Sequence, residues 1–223
     1  MCGRYAEYSG PSRLRRLYEL SETPRDLVPR FNIAPSQSAA VVREGADHER
    51  TLAMLHWGLI PPWAKDLKSG PHPINARAET AHERPMFRKA LRVRRCLVPA
   101  SGFYEWKRLN GGKRPYFCRL RDEEPFGMAG LWERWHGDGE DIESFTILTT
   151  AANDLMAELH DRMPVIVDPA DYAAWLDPEI TDPHMVEHIL RPFPADRMEA
   201  YPVGLRVNNP KNDDRGCVER EGA

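Results

Sequence analysis

A cysteine at position two followed by a small residue, Cys2-Gly3, holds two nucleophiles in reserve. Once Met1 is trimmed, the α-amine and the thiol sit on adjacent carbons. An α-amine, with a reference pKa of roughly 7.7 to 8.0, is partly neutral at cellular pH and attacks an aldehyde to give an iminium ion. The neighbouring thiolate then adds to the iminium carbon and closes a thiazolidine ring. An internal cysteine has only an amide nitrogen and cannot form this ring, and a retained Met1 blocks it in the same way. The plain alternative is an ordinary residue near a start codon. Cys96 and Cys118, in the apolar runs CLVPA and PYFCRL, read as small core residues, whereas nothing obliges Cys2 to be buried. The four cysteines form no CxxC and have no His pair at zinc-site spacing, so neither a disulfide framework nor a metal site is expected, and no cofactor is implied.

The 223 residues, 41% hydrophobic, suffice for a core, and one domain over 1–223 is expected, with its centre at about 2–208 and a C-terminal tail after it. No run approaches the roughly 20 apolar residues of a membrane span, and no signal peptide is apparent, which places the protein in the cytoplasm. A net charge of −3 argues against coating nucleic acid by bulk charge. A local patch stands against that average: Arg84, Arg88, Lys89, Arg92, Arg94 and Arg95 occur with no acid between them. It reads equally as a phosphate track or a solvated helix face.

The elements that must position this chemistry are mostly strands. Candidates are Ala39–Arg43, Thr51–Trp57, Leu97–Ala100, Phe103–Lys107, Tyr116–Leu120, Met128–Trp135 and Phe145–Thr149, with a hairpin turn at Asn110-Gly111-Gly112. Leu14, Leu17 and Leu20 recur at helical spacing after Pro11, and further helices are expected at Met86–Val93, Asn153–His160, Asp168–Leu176 and Asp182–Leu190. Strands bunched centrally without regular strand–helix alternation favour an α+β fold on a curved, mostly antiparallel, barrel-like sheet with peripheral helices.

Distinct motifs punctuate this pattern: Met1-Cys2-Gly3-Arg4-Tyr5, Asn32-Ile33-Ala34-Pro35-Ser36-Gln37, His56-Trp57-Gly58 running to Lys65, Asn75-Ala76-Arg77-Ala78-Glu79-Thr80, Pro99-Ala100-Ser101-Gly102-Phe103-Tyr104-Glu105-Trp106, and His160-Asp161-Arg162-Met163-Pro164. In this order they resemble the SRAP family, abasic-site processing proteins once called SOS-response-associated peptidases, from residue 1 to about Val207-Asn208. The resemblance implies a basic cleft holding single-stranded DNA beside a processed Cys2, a covalent link to the abasic aldehyde, and Asn75, Arg77, Glu105 and His160 around the cysteine. Lyase activity, self-removal of Met1 and a replication-fork partner are compatible with it.

Each residue type suits a task. Glu105 can shuttle protons during imine formation if its apolar neighbours raise its pKa, and otherwise is a surface carboxylate on an alternating strand. His160 can exchange a proton with the sugar ring oxygen, or be a helix-terminal histidine favoured by the dipole. Arg4, Arg77, Arg84 and Arg162 are candidate phosphate contacts, and Asn75 can hold the sugar or a backbone oxygen; for each the alternative is a structural hydrogen bond. Pro35 and Trp63 can wedge or stack on bases, though Trp63 reads equally as core. Rival readings are a glutamine amidotransferase with an N-terminal cysteine, a thiol peptidase pairing Cys2 with His160, and a non-covalent single-strand-binding module.

Overall fold

The computed structural model describes residues 2–22, 27–67, 70–137 and 139–222. In chain order the elements are β1 (Tyr5–Glu7), α1 (Pro11–Tyr18), β2 (Arg30–Ile33), β3 (Ser38–Glu44), β4 (Arg50–Trp57), β5 (Asn75–Arg77), α2 (Ala78–Ala81), α3 (Arg88–Val93) and β6 (Arg95–Ala100). They continue through β7 (Gly102–Leu109), β8 (Gly112–Leu120), β9 (Phe126–Gly137), β10 (Glu140–Ala151), α4 (Asp154–Ala157), β11 (Arg162–Pro164), β12 (Ile166–Val167), α5 (Tyr172–Leu176) and β13 (Met198–Pro202). The fold is α+β, with curved, mostly antiparallel sheets and short helices around them.

One sheet closes on itself. β4 pairs with β3, β3 with β6, β6 with β9 and β9 with β10, all antiparallel, and β10 returns to β4 in parallel through Ser144↔His56 and Phe145↔Trp57. The result is a five-stranded barrel. Closure leaves those strands without a free edge and buries Val41, Leu55, Trp57, Val98, Met128, Phe145 and Ile147. β10 also carries β5 and β11 on its far half. The second sheet runs β13-β8-β7-β1-β2. Its hairpin turns where Asn110-Gly111-Gly112 predicts, with Leu109 facing Gly112 and Gly111 at φ 101°.

Two motif glycines have steric reasons. A side chain at Gly102 would run into the Phe117 ring and the Cys118 carbonyl where β1, β7 and β8 converge. Gly58 holds φ 134° as the chain leaves the barrel. All seven expected strands form, but the helices are shorter than their periodicity suggests. Glu19 turns left-handed and ends α1 before Leu20, which is buried outside the helix. The Asn153–His160 expectation reduces to α4, because Leu159 and His160 both donate to the Met156 carbonyl. Over Asp168–Leu176 a 3₁₀ turn capped by Asp168 precedes α5, and Pro183–Ile189 is wholly 3₁₀.

The basic run divides between surface and interior. Arg95 is buried and donates to the carbonyls of Trp175, Leu91, Arg92, Ile180 and Asp177. Arg94 pairs with buried Glu133 at 2.7 Å. These two belong to the scaffold and not to a phosphate track, because β6 begins at Arg95 and turns it inward. Among the described residues no helix is long and apolar enough to cross a membrane.

Candidate active site

Cys2 precedes β1, the strand between β2 and β7, and this position decides its environment. It is fully buried and belongs to a core cluster that includes Tyr5, Trp57, Phe103, Cys118, Met156 and Met163. The sequence expectation that nothing obliges Cys2 to be buried is therefore corrected: it belongs to a core cluster drawn from strands distant in sequence. Met1 lies outside the described residues. The Cys2 carbonyl accepts from Asn75 Nδ2 at 2.8 Å, and its Sγ lies 3.9 Å from the Arg4 carbonyl. Burial pushes the Cys2 thiol up, and the negative charge of Glu105 pushes it further. Both effects favour the protonated thiol. The other three cysteines are also free and buried.

Glu105 lies on β7, 3% exposed, and burial pushes its carboxyl above the usual carboxylate range while the His160 ring opposes the shift. Glu105 and His160 line the same cavity of about 520 Å³, together with Trp106 and Asp161. His160 Nδ1 accepts the Arg162 backbone N–H at 3.0 Å, so the neutral ring carries its proton on Nε2. Asp161 Oδ1 also lies 2.7 Å from this nitrogen.

Asn75 and Arg77 begin and end β5, in register with Ile147 and Thr149 of β10. Arg162 stands on the other side of β10, opposite Ala151. Asn75 Oδ1 is buried and makes no hydrogen bond to the described residues. Arg77 is exposed, with no ion pair among the described residues, and so is Arg84, in the turn before α3. Arg162 is largely buried and engaged: its two Nη atoms grip Glu79 at 2.7 and 2.8 Å, and Nη2 also donates to the Thr149 carbonyl. Arg4 is engaged too, its Nη1 donating to Asn32 Oδ1 and the Val207 carbonyl, both at 2.8 Å, with the guanidinium 5.9 Å from the centre of the Trp106 ring.

Pro35 and Ser36 form a tight turn closed from Gln37 N–H to the Ala34 carbonyl, Ser36 at φ 68°, and the Ser36 N–H ties the turn to the Trp57 carbonyl. Pro35 is half-buried and Trp63 is 56% exposed, which removes Trp63 from the core. Asn32, Glu79 and Asp213 hold Arg4, Arg162 and Arg30 respectively, without a role readable in the sequence. Asp213 accepts from the backbone N–H groups of Phe31 and Asn32 and pairs with Arg30, while Asn32 fastens the segment from Val207 to Asn212. For Asn32 and Glu79 the available signal was membership of a motif.

Comparisons with known proteins agree across the chain. The SOS response associated peptidase (SRAP) profile matches residues 1–210. The abasic site processing protein YoqW of Bacillus subtilis is 43% identical over 223 residues, covering 98% of this chain and 99% of that protein. YoaM of the same organism, also named an abasic site processing protein, is 42% identical over 226 residues, covering 99% of each. A solved structure from Bacteroides thetaiotaomicron superposes with a TM-score of 0.88 at 26% identity, over 98% of this chain and 99% of that one. The motifs, the barrel with its flanking sheet and these matches lead to one conclusion: the chain belongs to the SRAP family.

Proposed function

We propose that this protein captures abasic sites in single-stranded DNA by forming a thiazolidine between the lesion's aldehyde and Cys2, exposed as the N-terminal residue. The observation that carries the reading is the meeting of one buried cysteine with Asn75 on its carbonyl, Glu105 within electrostatic reach of its thiol and His160 across the same cavity as Glu105. The names of the relatives, abasic site processing proteins, support the substrate.

The chemistry balances with these groups. His160 donates a proton to the sugar ring oxygen and recovers the one the anomeric hydroxyl loses, so the ring opens to aldehyde and alcohol with the imidazole restored. The Cys2 amine adds to the aldehyde, and Glu105, its pKa raised by burial, accepts and returns the protons needed to expel water and leave the iminium. The thiol gives up its proton and sulfur adds to the iminium carbon, so the net change is loss of one water. Asn75 fixes the Cys2 carbonyl and with it the bearing of amine and thiol. Arg77 and Arg84 take flanking phosphates, Arg4 and Arg162 hold the walls, and Pro35 with Trp63 receives unstacked bases. Elimination from the iminium gives a lyase side reaction, and removal of Met1, by this chain itself or by an aminopeptidase, must come first.

The test is incubation with an oligonucleotide bearing one abasic site, followed by denaturing electrophoresis and intact mass. The expected mass is that of protein lacking Met1 plus DNA, less one water, and Cys2→Ala forms no adduct. A stable adduct on protein that keeps Met1 would sink the thiazolidine route.

A further inference from the structure

The β7–β8 hairpin places four cations in two facing pairs, Lys107↔Arg114 and Arg108↔Lys113. Cross-strand partners stand roughly 4.5–5.5 Å apart at Cβ, and like charges directly opposite destabilise a hairpin. The first pair is relieved, Lys107 by Glu158 at 3.8 Å and Arg114 by Glu221 at 2.7 Å. The second pair has no acidic partner among the described residues, and both side chains are exposed.

Their position gives the imbalance a use. Among the described residues β1 pairs with β7 at Gly102 and Phe103, with one further bond from Tyr104 N–H to the Arg4 carbonyl, so Arg108 lies on β7 beyond its pairing with β1. The cavity that holds Glu105 and His160 is lined by Arg108 and Lys113 as well. The other two acids lining it, Glu158 and Asp161, face Lys107 and His160. Three residues of strand, roughly 10 Å, separate Glu105 from Arg108, within the span of one or two nucleotides.

We propose that Arg108 and Lys113 jointly hold one backbone phosphate of single-stranded DNA beside the sugar that reacts at Cys2. This rests on the function proposed above and adds a path for the strand through the cavity that Glu105 and His160 share with Arg108 and Lys113. The facing cations are a repulsion in the free protein that a phosphodiester between them relieves.

The experiment is fluorescence anisotropy of a labelled, unmodified single-stranded oligonucleotide across a salt series, with wild type, R108Q/K113Q and, as a cationic control on the same hairpin, R114Q. Such DNA has no aldehyde, so the readout does not depend on Cys2 chemistry. The double variant is expected to bind roughly tenfold more weakly at low salt, with a log–log salt slope shallower by about 0.7, the value for one single-strand phosphate. R114Q should keep the wild-type slope, and R108Q/K113Q should melt at or above the wild-type temperature. An unchanged slope and affinity in the double variant, or a melting temperature clearly below wild type, overturns the phosphate site and leaves the Cys2 reading standing. Wild type that does not bind the oligonucleotide also overturns the phosphate site, while the Cys2 reading is decided separately by adduct formation on an abasic oligonucleotide.

Discussion

Replacing Asn32 should loosen the wall behind the candidate site, and the size of the loss follows from its bonds. The residue is fully buried, and Nδ2 lies 3.2, 3.1 and 2.7 Å from the carbonyls of Val207, Asn209 and Asn212. An amide has two hydrogens, so these three contacts count as two bonds. Oδ1 accepts a charge-assisted bond from Arg4 at 2.8 Å. At about 1 kcal/mol for each neutral bond and about 1.5–3 for the charged one, Asn32→Ala should cost about 4 kcal/mol. The Val207 carbonyl softens this slightly by keeping its bond from Arg4. Asn32→Asp has the same shape and still accepts from Arg4, but it sets an oxygen against three carbonyl oxygens, so it should be nearly as damaging. Urea unfolding of wild type and both variants, compared at constant m-value, measures this directly. A loss under about 1 kcal/mol for alanine, or a near-neutral aspartate, would refute the bonding scheme.

Glu105→Gln should slow adduct formation yet stabilise the fold. Burial raises the folded-state pKa above the unfolded one, so the stability linked to this group is full below the unfolded value and is lost as pH rises through the folded value. The melting temperature of the glutamine variant relative to wild type should therefore climb as pH leaves the acidic range, and a flat difference would contradict the assignment. His160→Ala should slow formation and release of the adduct together, by about 10²–10⁴-fold, because one proton transfer serves both directions. Release of a preformed adduct at the wild-type rate, followed with excess competing DNA, would exclude that role. Trp63→Ala should weaken single-strand binding by about 1–3 kcal/mol per stacked base at an unchanged melting temperature, since the ring is 56% exposed. Unchanged affinity in the same titration would return Trp63 to a passive surface residue.

The strands that could be read in the sequence are those whose own residues carry the pattern. Thr51–Trp57 and Met128–Trp135 are rich in large apolar groups, and both form. β1, with the sequence YAE, and β5, with NAR, are three residues each and have no pattern to read. They exist because β7 and β10 offer edges to them, and these two strands hold the chain beside Cys2 and the side chain of Asn75 in place. The burial of Cys2 was hidden for the same reason: the cluster it joins includes Phe103, Cys118 and Met163, far along the chain. Arg95 and Arg84 look alike in a basic run, and only the start of β6 sends one inward. The motifs identified the residues that meet, while their commitments, such as Arg162 to Glu79, depend on how β5 and β11 flank β10.

β10 closes the barrel on both sides and sets the register of β5 on one flank and β11 on the other. Asn75, Arg77 and Arg162 are thus all measured off one twelve-residue ruler. A single residue inserted into β10 would shift all three out of phase and turn the barrel's apolar face outward, because strand side chains alternate. The same insertion at Asn110-Gly111 would only lengthen a turn. Length variation in descendants of this chain should therefore gather at hairpin tips and spare β10, so that the reach of the fold can evolve while its reactive centre stays put.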